Sequence, residues 1–120
     1  MNARRVLVVD DAGSDLTSLE KIIAHAGYVV LTATSGEQAV ETAKAEKPDV
    51  ILIDVNRKTV DGFEATRILQ STAATKDIPV IFVTAKHQAA DRVWARMLGA
   101  KDFLTKPYTA QQVLAQLRAL

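Results

Sequence analysis

The stretch that most constrains this chain is Val50, Ile51, Leu52 and Ile53, running straight into Asp54. Four consecutive apolar residues with no polar alternation read as a strand buried on both faces, as in the centre of a parallel sheet covered by helices. Such a strand delivers the next residue to the sheet's carboxyl edge, where open α/β sheets bind their ligands. Asp54 therefore stands where this architecture concentrates chemistry. A second run of the same kind, Val6, Leu7, Val8 and Val9, ends on Asp10 and Asp11.

Between and after these runs, strand and helix signals alternate. Leu16, Leu19, Ile22, Ile23 and Ala26 recur at helical spacing and Gly27 closes the segment. Residues 28–33 read as a strand. Ser35 opens a helix with Gln38 as its capping-box partner, running to about Lys47-Pro48. After the third strand, 56–62 is a polar loop with the turn signal Asp61-Gly62, and a helix follows from Phe63 to about Gln70. Residues 71–77 are a polar connection, 78–83 a fourth strand ending on Thr84, 89–98 a fourth helix stopped by Gly99, and 101–105 a fifth strand ending on Lys106-Pro107. Thr109 and Gln112 cap a fifth helix bearing Val113, Leu114, Leu117 and Leu120. Such alternation predicts a doubly wound, five-stranded parallel sheet with five flanking helices and right-handed crossovers. At 120 residues the chain fits one domain, and the flavodoxin-like order 2-1-3-4-5 sets strands 1 and 3 side by side at the switch point.

Composition narrows the chemistry. With 15 Lys+Arg against 14 Asp+Glu the net charge is +1 and the basic residues are scattered, so nothing favours capture of nucleic acid or an acidic membrane. No cysteine is present, which removes disulfides and thiolate metal sites and fits a reducing cytoplasm. No apolar stretch is long enough for a signal peptide or a span.

The expected topology gathers Asp10, Asp11, Asp54, Thr84 and Lys106 at one edge. Each alone has a structural explanation: aspartates after strands cap helices and form turns, threonine favours strands, and a lone lysine is usually solvated. Their coincidence at four strand ends is what points to a site. Three carboxylates so close repel one another unless a cation compensates, and an all-oxygen donor set suits Mg²⁺. With the metal and the Lys106 ammonium in place, the site becomes a receptor for a phosphoryl group, and Asp54 can act as nucleophile to form an acyl phosphate. Thr84 would donate its hydroxyl to a phosphoryl oxygen. His25, His87 and Trp94 carry no metal-ligand spacing and read as surface or packing residues.

The acidic pair Asp10-Asp11, Asp54, Asp61-Gly62, Thr84-Ala85 and Lys106-Pro107 together resemble the receiver domains of bacterial two-component response regulators. The likeness covers the whole chain, 1–120, as one domain. The runs 91–94 and 98–107 are similar to single-domain receivers of the chemotaxis and twitching-motility type. The resemblance implies that Asp54 is phosphorylated by a sensor histidine kinase or phosphotransfer domain. It also implies that Asp11, Asp54 and the backbone carbonyl of Asn56 coordinate Mg²⁺, with Asp10 near the metal or acting through water. Lys106 would pair with the phosphoryl group and its bond to Pro107 would be cis. Thr84 and Phe103 would form the switch pair, changing a readout face of fourth helix, fifth strand and fifth helix for a downstream output protein. That face is also open to homodimerisation.

Where the family usually has Met-Pro after the acceptor strand, this chain has Arg57-Lys58, which loosens the loop and brings two cations near the site. Asn56 and Lys86 stand where family members tune access of the hydrolytic water. The expectation is a cytoplasmic switch that catalyses only its own phosphotransfer and dephosphorylation. A receiver-like interaction module working without phosphorylation is the alternative. An aspartate-nucleophile phosphatase would need a second acid at position 56, and a flavin or nucleotide binder would need a Gly-rich turn after the first strand.

Overall fold

As a computed structural model, the protein is described over residues 4–9, 17–54, 61–85 and 101–120, with the backbone alone described at 61–63 and 84–85. Five strands form one sheet: β1 (Arg5–Val9), β2 (Val29–Ala33), β3 (Val50–Asp54), β4 (Val80–Ala85) and β5 (Asp102–Lys106). All ladders are parallel and the order is β2-β1-β3-β4-β5, the expected doubly wound arrangement. Four helices lie among the described residues: α1 (Thr17–His25), α2 (Gly36–Glu46), α3 (Asp61–Ser71) and α4 (Ala110–Arg118). The helix expected over 89–98 lies outside them.

Burial follows the sequence pattern. Every residue of β3 is buried, whereas the edge strands β2 and β5 carry exposed positions at Val29, Thr32 and Asp102. The unbroken apolar runs are thus central and the mixed ones peripheral, because only central strands have both faces covered. Successive side chains alternate between two layers. Leu7, Ile51, Ile53 and Phe82 pack with α2 and α3 through Ala39, Val40, Ala43, Ala65 and Leu69. Val6, Val8, Leu52 and Ile81 pack with α1 and α4 through Leu19, Ile23, Val113 and Leu117. Phe82 is fully buried, and burial of a side chain of this kind contributes about 1.5–3 kcal/mol.

Several boundaries move from their expected places for local reasons. β4 begins at Val80 rather than 78, since Pro79 has no N–H for the ladder and offers only its carbonyl, to Ile51 N at 3.0 Å. The helix expected from Phe63 starts at Asp61 and ends at Ser71. Its last carbonyls are satisfied by hydroxyls: Ser71 Oγ donates to Arg67 O, Thr72 Oγ1 to Ile68 O, and the buried Thr75 Oγ1 to Leu69 O at 2.7 Å. What reads in the sequence as a polar connection is therefore a hydrogen-bonded helix terminus.

The caps show a similar refinement. Ser35 Oγ accepts from Gln38 N at 3.1 Å, but the Gln38 side chain accepts from Thr34 N at 2.6 Å, one residue beyond a reciprocal box. Thr109 and Gln112 form the complete box. Gly27 ends α1 with φ +97°, a conformation glycine adopts without penalty. Lys47 ends α2 in the left-handed region at φ 47°, its N–H donating to Ala43 O.

Candidate functional site

The sheet register decides what meets at the carboxyl edge. Val9 lies level with Ile53, so β3 projects one residue further and carries Asp54 at its tip. Asp54 is level with Val83 on β4, and Val83 with Leu104 on β5. Thr84 therefore sits one position beyond Asp54, paired with Thr105, and Lys106 two positions beyond, paired with Ala85.

β3 and β5 flank β4, so they are separated by two strand spacings, roughly 10 Å. Only a long side chain closes that gap. Lys106 does so, placing Nζ 2.9 Å from Asp54 Oδ1. The two partners differ in solvent access: the Asp54 side chain is 3% exposed and that of Lys106 36%. A nearly buried carboxylate is costly unless compensated, and a charge-assisted contact from a lysine reaching across β4 supplies that compensation. The Lys106–Pro107 peptide bond is cis.

The residue after it is one that sequence reasoning passed over. Tyr108 is half-buried against the α1–α4 layer, and its hydroxyl lies 3.5 Å from Ser18 Oγ on α1. It packs the turn after Lys106 against that layer. An aromatic directly after Lys-Pro at a strand end was the available signal. Phe103, level with Phe82, is half-buried against the α2–α3 layer.

Of the expected site residues, the structure brings Asp54 and Lys106 into contact and places Thr84 on the adjoining strand. Asp10, Asp11, Asn56, Arg57, Lys58 and Lys86 lie outside the described residues, as do His87 and Trp94. Among the described residues no group of three or more acids or imidazoles forms. The part of the donor set that is described fits a hard cation: a carboxylate held at the open edge of a sheet. A buried, oriented carboxylate with a cation beside it can present an oxygen to an electrophile whose own oxygens the cation draws in.

The model of the response regulator receiver domain matches residues 6–118. The chain belongs to the response regulator receiver domain family. Over 116 residues it is 41% identical to protein PilH of Pseudomonas aeruginosa, covering 97% of this chain and 96% of that protein. It is 38% identical to the alkaline phosphatase synthesis transcriptional regulatory protein PhoP of Bacillus subtilis, covering 98% of this chain but 48% of that one. The chain thus spans nearly all of the first relative and about half the length of the second. Among solved structures, chemotaxis protein CheY4 of Vibrio cholerae superposes with a TM-score of 0.88 at 29% identity, covering 98% of each chain. The receiver domain of a sensor histidine kinase from Pseudomonas aeruginosa gives 0.87 at 29% identity, covering 98% of this chain and 97% of that one, and holds a magnesium ion coordinated in its active site cleft. These likenesses join the chain to receivers of the two-component, chemotaxis and twitching-motility type.

Proposed function

We propose that Asp54 accepts a phosphoryl group from a phosphohistidine on a sensor histidine kinase or phosphotransfer domain. The observation that carries this is the Asp54–Lys106 pair at the tip of a fully buried central strand. In the transfer, an Asp54 carboxylate oxygen forms a bond to phosphorus as the phosphorus–nitrogen bond of the donor breaks, and the bonding pair returns to the imidazole nitrogen. Hydrolysis later regenerates the carboxylate.

Burial fixes the orientation of Asp54, so little positional freedom has to be lost on the way to the transition state. Lys106, already on Oδ1, shifts to a phosphoryl oxygen as charge moves there. Thr84, one position beyond Asp54 on the next strand, donates its hydroxyl to another. Asp10, Asp11, Asp54 and the Asn56 carbonyl would hold Mg²⁺, which when bound supplies positive charge against the crowded oxygens. Support for that metal comes from the oxygen donor set and from the magnesium in the related histidine-kinase receiver.

Phosphorylation then acts as a population shift. The Thr84 hydrogen bond favours an inward state, and Phe103 moves into the vacated space. The consequence is a changed face for a downstream output protein, in the cytoplasm. Arg57, Lys58, Asn56 and Lys86 tune the lifetime of the phosphorylated state.

The test is incubation with Mg²⁺ and acetyl phosphate followed by intact-mass spectrometry. One added phosphoryl group is expected, lost in Asp54→Asn. No adduct, together with unchanged Trp94 fluorescence on addition of beryllofluoride, would replace this function with a receiver-fold interaction module that works without phosphorylation.

A further inference from the structure

The α2–α3 layer carries a groove on its outer surface that the Asp54 site does not use. It encloses about 370 Å³ between the two helices. Val40, Ala65 and Ile68 supply its apolar floor, and Glu37, Glu41 and Glu64 stand around it, with Lys44 the one cation among its lining residues. Val40 and Ala65 also belong to the core beneath, but Ile68 does not. It is 38% exposed, and with Val29 on the edge strand it makes up the exposed large apolar side chains among the described residues. Its neighbour Leu69 is fully buried, so the helix meets its packing requirement without an isoleucine at 68.

The charge around that apolar surface is one-sided. Glu64 is held by Arg67 at 2.7 Å, whereas neither Glu37 nor Glu41 has an ion-pair partner among the described residues. A second copy of this chain seated face to face would bring one mainly acidic lining against another, which like-charge repulsion disfavours. A cationic partner gains from the same arrangement.

We propose that the α2–α3 groove docks a short, basic amphipathic helix of a partner protein, inserting an apolar side chain over Ile68 between flanking lysines or arginines that meet Glu37 and Glu41. The groove would be a contact separate from the phosphorylation-dependent face. Its occupancy does not depend on Asp54 being phosphorylated.

The test titrates the unphosphorylated, ¹⁵N-labelled protein with a panel of short synthetic helices carrying Leu or Phe at i and i+4 and Lys or Arg on the flanks. Scrambled and acidic versions serve as controls. Expected are saturable shifts confined to residues 36–44 and 64–71, absent with the controls and diminished by added salt. Ile68→Lys, and separately Glu37→Lys with Glu41→Lys, should each weaken binding roughly tenfold. The spectra themselves report that the variants remain folded. No saturable binding, equal binding of the scrambled peptides, shifts on another face, or indifference to both sets of substitutions would overturn the proposal. Concentration-dependent shifts at these residues without peptide would also overturn it, making a second copy the occupant.

Discussion

Asp54 and Lys106 constrain each other through unequal burial. The Asp54 side chain is almost enclosed and that of Lys106 is 36% exposed, so removal of the lysine is felt mainly by the aspartate. A fully buried pair loses roughly 3–5 kcal/mol when one partner is deleted. Lys106→Met should cost less, about 1–3 kcal/mol, because the Lys106 side chain is only partly buried. Asp54→Asn should leave stability unchanged or raise it in metal-free buffer, since it removes the charge that needed compensation. Urea unfolding of both variants checks the asymmetry; a Lys106→Met protein as stable as the parent would mean the contact carries no folding free energy. At this scale the residue types at the site were legible in sequence, where Asp54 and Lys106 each end a strand-like run. Their contact was not, because it depends on how far a lysine stem reaches over an intervening strand. Tyr108 went unnoticed for the same reason: its partner, Ser18, is 90 positions away.

Among the elements, helix ends show how local rules are met and where they are strained. Gly27 and Lys47 both end helices with positive φ, but only the first is a glycine. The left-handed conformation costs an ordinary L-residue about 1–2 kcal/mol, partly offset because glycine loses more backbone entropy on folding. Lys47→Gly should therefore stabilise the protein by about 0.5–1 kcal/mol, read as a higher urea midpoint at unchanged slope. The periodicity that places α1, α2 and α4 is visible in sequence because each helix buries one stripe. Ends are less visible. The turn after α3 is held by Thr72 and Thr75 hydroxyls donating to carbonyls of the preceding helix, and a run of Ser and Thr reads as a loop until that helix is there to receive them.

For the whole molecule, the sheet is a partition. The apolar layer under α2 and α3 and the layer under α1 and α4 are distinct clusters joined through the strands. Ile53→Val, in the first, and Ile23→Val, in the second, should each cost about 0.5–1.5 kcal/mol. Combined, they should sum to within about 0.5 kcal/mol, as expected for sites without shared partners. A double variant departing further from the sum in urea titration would show that strain crosses the sheet. What the sequence determined by itself is the class of fold and the order of its strands and helices along the chain: unbroken apolar runs have to be buried on both faces, and parallel strands with helical crossovers are the arrangement that does so. What only the tertiary structure decided is which ends meet. Register sets Asp54 level with Val83 and Lys106 two positions beyond, and packing leaves Ile68 exposed in a groove that Glu37, Glu41 and Glu64 also line. Those relations join residues far apart in the chain, and local periodicity carries no information about the distance between them.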